Sequence, residues 1–123
     1  MADTTPKSIL VVDDDPQVLS LMADILSDAG YRVLEARDGR HAMAAIRKGP
    51  VDVMVTDLIM PEQEGVETIT QLKKEYPGIR IVAISGAAEG AYLKLAELLG
   101  AHAVLRKPFA PAALLDQIAK VLA

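Results

Sequence analysis

The sequence predicts an α/β domain whose five parallel strands form one doubly wound sheet with helices on both faces. Three observations predict it. Short β-type runs alternate with helix-type patterns along the whole chain, and such alternation builds parallel sheets through right-handed crossovers. Two of the runs, Val51–Val55 and Ile79–Ile84, are almost continuously apolar, as a central strand covered on both faces requires. The connections are short and carry helix-stop or turn residues.

Taken in order, the strands are expected over Ser8–Val12, Arg32–Ala36, Val51–Thr56, Arg80–Ser85 and Ala103–Arg106. The first helix starts where Asp15 can cap and Pro16 can occupy the first helical position. Leu19, Met22, Ala23 and Leu26 then recur at helical spacing, and Gly30 offers a stop. Ala42, Ala45 and Ile46 mark a second helix that ends before Gly49-Pro50. Val66, Ile69, Leu72 and Tyr76 mark a third, ended by Pro77-Gly78. A fourth is expected from Ala91 to Leu99, with Gly100 after it. A fifth begins near Pro111 and carries Leu114, Leu115, Ile118 and Leu122. Five such units fit the flavodoxin-like (βα)5 arrangement with strand order 2-1-3-4-5. Residues 1–7 are expected to be a disordered N-terminal extension, and residues 8–123 one domain.

Composition narrows the function. The 123 residues are 51% hydrophobic and 24% charged, an ordinary globular balance, with only 3% aromatics. The core must therefore be built from Val, Ile, Leu, Ala and Met. The absence of Cys excludes disulfides, thiolate metal sites and a thiol nucleophile. A net charge of −4 speaks against direct nucleic-acid binding. No apolar run reaches the ~18–20 residues of a membrane span, and no apolar signal region precedes Ser8, so a cytoplasmic protein is expected.

In an open α/β sheet, ligands bind beyond the carboxyl ends of the strands. Strand one ends in Asp13, Asp14 and Asp15, strand three in Thr56-Asp57, strand four in Ser85-Gly86 and strand five in Arg106-Lys107. Asp15 is read as a helix cap and not as a ligand. Asp13, Asp14 and Asp57 would crowd together, and crowded carboxylates raise one another's pKa or recruit a cation. Carboxylate oxygens suit Mg²⁺. Lys107 adds a point charge and Ser85 a hydroxyl donor. A metal, an ammonium and a hydroxyl around one carboxylate suit phosphoryl transfer, in which the carboxylate can be the nucleophile.

Ile9-Leu-Val-Val-Asp-Asp-Asp-Pro16, Val55-Thr-Asp-Leu-Ile-Met-Pro61 with Gly65 following, Ala83-Ile-Ser-Gly86 and Lys107-Pro-Phe109 together resemble the receiver domain of bacterial two-component response regulators. The resemblance runs from Ile9 to Ala123. It implies that Asp57 is the phosphoacceptor, that Asp13, Asp14, Asp57 and the backbone carbonyl of Ile59 hold Mg²⁺, and that Ser85 and Lys107 bind phosphoryl oxygens. It also implies a cis Lys107–Pro108 bond. The implied donor is a phosphohistidine on a sensor histidine kinase or a histidine phosphotransfer protein. The implied output is a downstream effector, or a second copy, docked on the face made by the fourth helix, fifth strand and fifth helix. The protein would promote its own phosphorylation and dephosphorylation without turning over an external substrate.

Two positions depart from the family's common pattern. Val104 stands where a Tyr or Phe often precedes the Lys by three residues, so no ring is available to swing inward during switching. Ile59 and Ala87, two residues after Asp57 and Ser85, have no side chain that can orient an attacking water. Slow loss of the phosphoryl group is the expectation.

Other readings fit less well. A flavin carrier of this fold needs a phosphate-binding loop after the first strand, where this chain has three Asp. A phosphatase resembling the haloacid dehalogenases would need a Thr or Val at the fifth position of Asp13-Asp14-Asp15-Pro16-Gln17. A degenerate receiver acting through binding alone would have no need of Asp57, Ser85 and Lys107 together. His41 and His102 lack metal-ligand spacing, and Leu93, Leu95, Leu98 and Leu99 are too many for one buried helical face.

Overall fold

Five strands form one wholly parallel sheet in the order β2-β1-β3-β4-β5. They are β1 (Ser8–Val12), β2 (Arg32–Ala36), β3 (Val53–Asp57), β4 (Arg80–Ser85) and β5 (Ala103–Arg106). Between them run α1 (Pro16–Asp28), α2 (Gly39–Lys48) and α3 (Glu64–Glu75), and the chain closes with a C-terminal helix (Pro111–Leu122). The computed structural model describes residues 5–58, 64–86, 94 and 97–123. Within the expected fourth helix, Lys94 and the turn 97–99 are helical. Leu93 and Leu95 lie outside the described residues, as do Ile59 and Ala87.

Strand alternation sorts the apolar residues into two cores. Leu10, Val12, Met54, Ile81 and Ala83 face α2 and α3, where Ala42, Met43, Ile46, Ile69 and Leu72 meet them. Ile9, Val11, Val53, Val55, Val82 and Ile84 face α1 and the C-terminal helix, against Leu19, Met22, Leu26, Leu114, Ile118 and Val121. The three central strands are thus buried on both sides, which explains their nearly unbroken apolar runs. Burying each such side chain contributes roughly 1.5–3 kcal/mol relative to exposure, so these faces outweigh any local helix propensity in setting the architecture.

Local signals explain the helix starts. Asp15 accepts a 2.9 Å hydrogen bond from the Gln17 N–H, and Pro16 follows at the first helical position. Asp38 caps α2 by accepting the His41 N–H at 2.8 Å. That bond is the main reason its carboxyl lies below the usual carboxylate range. The C-terminal helix has Pro111 but no side-chain cap, because Ala110 stands at its N-cap.

The third strand differs from expectation at both ends: it begins at Val53, not Val51, and includes Asp57. At its start Asp52 pairs with Ser8 through its side chain. The Ser8 N–H donates to the Asp52 carboxylate at 2.7 Å, while the Asp52 N–H donates to the Ser8 carbonyl at 2.8 Å. A carboxylate here stands in for a backbone carbonyl, so the regular ladder opens one residue later. Among the described residues no helix is long and apolar enough to cross a membrane.

Candidate functional site

The strand order decides which side chains can meet. β1 and β3 are neighbours, so Asp13, just after β1, stands beside Asp57 at the end of β3. β4 lies between β3 and β5, and Lys107 follows β5 directly. The Lys107 N–H donates to the Ser85 carbonyl at 2.8 Å, which extends the β4–β5 pairing and aims the long side chain across the sheet end.

Asp13, Asp14 and Asp57 each offer a carboxylate oxygen, and these oxygens lie within 4.8 Å of one another. Asp13 and Asp57 are buried, whereas Asp14 is exposed. Asp13 uses both oxygens: one accepts the Asp15 N–H at 2.9 Å and the other accepts from Lys107 Nζ at 2.8 Å. The same ammonium donates to Asp57 at 2.7 Å. Burial would lower the Lys107 pKa, but its hydrogen bonds to Asp13 and Asp57 and the charges of both carboxylates outweigh burial and raise it above the ordinary lysine value. One cation thus spans two carboxylates that would otherwise repel.

Ser85 is fully buried at the end of β4, and its hydroxyl has no hydrogen-bond partner among the described residues. A buried polar atom left unmatched is uncommon and asks for an explanation. The backbone around the site is pinned on both sides: the Asp13 N–H donates to the Ala36 carbonyl at 3.2 Å, and the Leu58 N–H to the Ile84 carbonyl at 2.9 Å.

The structure therefore brings Asp13, Asp14, Asp57 and Lys107 together at the sheet end where Ser85 also lies. Ile59, the backbone ligand implied by the resemblance, falls outside the described residues. The Lys107–Pro108 bond is cis. Val104 is half-buried against the core shared with α2 and α3. The Asp15 side chain caps α1, while its backbone N–H holds Asp13.

Gly65 of the motif has a structural cause that pattern alone does not reveal. A Cβ at Gly65 would run into the carbonyl oxygen of Asp57 and approach the Cα and carbonyl oxygen of Leu58 at 3.0 and 3.1 Å. Only glycine lets the first turn of α3 close on the strand end that carries Asp57.

Three carboxylate oxygens at this spacing fit a hard divalent cation such as Mg²⁺, which is held by few protein carboxylates and retains water.

Comparison with known proteins agrees with this arrangement. Residues 9–119 match the sequence model of the response regulator receiver domain. The chemotaxis protein CheY of Thermotoga maritima is 32% identical over 116 residues, covering 94% of this chain and 97% of that protein. Response regulator GtcR of Aneurinibacillus migulanus is 34% identical over 117 residues, covering 95% of this chain and 47% of that protein. The chain spans about half the length of several curated relatives it matches. Among solved structures, the chemotaxis response regulator CheY4 of Vibrio cholerae aligns with a TM-score of 0.87 at 31% identity, covering 95% of this chain and 99% of that one. With the match spanning nearly all of the fold just described, the chain belongs to the response regulator receiver domain family of two-component signalling.

Proposed function

We propose that this chain is a phosphoacceptor switch in which Asp57 takes a phosphoryl group from a phosphohistidine, in a reaction that depends on Mg²⁺. The observation that carries this reading is the single ammonium of Lys107 shared between Asp57 and Asp13, with Asp14 in the same cluster. Asp13, Asp14 and Asp57 would hold the metal, together with the Ile59 carbonyl. When bound, Mg²⁺ supplies positive charge against the phosphoryl oxygens.

The chain's own groups do the rest. An Asp57 carboxylate oxygen attacks phosphorus in line, an O–P bond forms, the P–N bond to the donor imidazole breaks, and the imidazole keeps the electron pair and takes up a proton. Lys107 exchanges its contact with the Asp57 carboxylate for one with a phosphoryl oxygen. The unmatched hydroxyl of Ser85 donates to another. Both motions draw on the ends of β4 and β5 and bias a pre-existing equilibrium. Val104 has no ring to add to that movement, so Ser85 and Lys107 carry it.

The donor is a sensor histidine kinase or a histidine phosphotransfer protein. The receiver of the signal is an effector, or a second copy of this chain, on the face of the fourth helix, β5 and the C-terminal helix. Direct nucleic-acid binding and turnover of an external substrate form no part of this function. Residues 8–123 act as the receiver unit. Ile59 and Ala87, two residues after Asp57 and Ser85 in sequence, have side chains that cannot orient water, which makes hydrolysis of the phosphoryl group slow.

Incubation with acetyl phosphate and Mg²⁺, followed by intact-mass measurement, tests the proposal. The expected result is one added phosphoryl group that is absent in Asp57→Asn and in EDTA. Stoichiometric modification of Asp57→Asn would overturn the assignment.

A further inference from the structure

β5 has only four residues and lies at the edge of the sheet, yet it leads directly to Lys107. Its start is fastened in an unusual way. The His102 N–H donates to the Ile81 carbonyl at 2.8 Å, and the Ile81 N–H donates to His102 Nδ1 at 3.0 Å. In a continued parallel ladder, that second bond would end on a backbone carbonyl two residues upstream of His102. The chain has already turned away there, because Gly100 has φ 104° and donates its N–H to the Glu97 carbonyl. The imidazole takes the carbonyl's place.

Asp52 does the same for Ser8 at the start of β3, with one N–H donated and one side-chain oxygen accepting. The two fastenings share a geometry and differ in chemistry. A carboxylate accepts throughout the neutral range. An imidazole accepts at Nδ1 only while that nitrogen carries no proton.

We propose that His102 is a pH-sensitive latch on β5, held as the neutral Nε2–H tautomer, and that proton uptake on Nδ1 releases the start of the strand that leads to Lys107. Electrostatics favour the latched neutral form. His102 is exposed overall, but desolvation of its ring disfavours the charged form, and the charges that act on it, those of Lys73 on α3 and Arg80 at the start of β4, are both cationic. Lys73 is held close, since its stem lies over Gly100, with Cε 2.8 Å from where a Cβ would sit. These effects lower the His102 pKa below the ordinary value of 6.5. The unlatched state therefore binds the proton more tightly than the latched one. The latch is fully effective above the ordinary histidine pKa and fails as pH falls through the lowered value.

The test is nitrogen NMR of His102 together with amide exchange at Ile81, each exchange rate normalised to its intrinsic rate and compared with Val11 on β1. The wild type should show the Nε2–H tautomer. Ile81 protection should fall on acidification, by roughly tenfold for each pKa unit separating latched and unlatched states, while Val11 protection does not follow it. His102→Ala should lose Ile81 protection at all pH values. His102→Asp, which copies the Asp52 arrangement, should keep it across the neutral to mildly acidic range. An Nδ1–H tautomer, or the same acid-dependent loss of Ile81 protection in wild type and His102→Asp, would overturn the proposal. The outcome is independent of the phosphoacceptor reading, because no residue of the acidic cluster takes part.

Discussion

Lys107 Nζ lies 2.7 Å from Asp57, near enough to neutralise the carboxylate that the proposed reaction uses, and its second bond holds Asp13 in place. Replacing Lys107 with Met leaves three carboxylates facing one another. The loss in stability in EDTA should be roughly 1–3 kcal/mol, below the 3–5 kcal/mol of a fully buried broken pair because the lysine side chain is 21% exposed. Mg²⁺ should restore more stability to this variant than to wild type. Urea melts with and without the metal check both statements, and equal midpoints for variant and wild type in EDTA would remove the role given to the ammonium.

Magnesium should stabilise the wild type by mass action, by about 2.7 kcal/mol at a concentration a hundredfold above its Kd. Asp14→Ala removes an exposed carboxylate of the cluster that has no place in the core. It should fold normally and lose most of that gain. Thermal melts across a MgCl₂ series measure it. An undiminished gain in Asp14→Ala would place the metal elsewhere.

Gly65→Ala pushes a methyl group against the Asp57 carbonyl and Leu58. A shift of α3 away from the end of β3 should lower stability by about 1–3 kcal/mol, the usual scale of overpacking. Phosphorylation by acetyl phosphate should slow as well, since the same strand end carries the acceptor. A variant as stable and as readily modified as wild type would show that the contact is relieved without effect.

Asp38 caps α2, and its carboxyl pKa is lowered chiefly by the hydrogen bond from the His41 N–H. Its contribution is therefore complete above the unfolded carboxylate pKa and disappears as pH falls through the lower folded value. Asp38→Ala should lose about 1 kcal/mol at neutral pH. The difference between the two proteins should shrink in acid, as denaturant titrations at several pH values would reveal. A constant difference would assign the effect to something other than the ionised cap.

Ile59→Asn and Ala87→Glu supply side chains able to hydrogen-bond a water beside the acyl phosphate. Each should speed dephosphorylation several-fold, followed by mass spectrometry after removal of the donor. Unchanged rates in both would dismiss slow hydrolysis as a consequence of these two residues.

Most of the fold is legible because its causes are local or periodic. Asp15-Pro16 starts a helix on chemistry that needs no tertiary partner, and alternation along Ile9–Val12 assigns each side chain to one of two cores. The acidic residues and Lys107 are legible as strand endings, since topology alone carries strand endings to a common edge. What escapes is decided by pairing between distant segments. Val51 looks like strand, but the Asp52 carboxylate takes the Ser8 N–H, so the ladder starts at Val53. His102 is the exposed loop residue it looks like, but its bond from the Ile81 N–H becomes visible only once β4 and β5 are side by side. Along the C-terminal helix, the apolar stripe includes Leu115 and Leu122, yet Val121 is the more deeply buried neighbour. The docking angle of the helix makes that choice, and periodicity is too coarse to express it.

Asp13 and Lys107 are 94 residues apart in sequence and 2.8 Å apart in space. The first directly follows β1 and the second directly follows β5, with β3 and β4 between those strands in the sheet. No partial assembly of this sheet can hold both. A chain still emerging from synthesis, or one clipped before β5, lacks this charge pairing however well its earlier parts have folded, so the proposed acceptor site is complete only once β5 has docked.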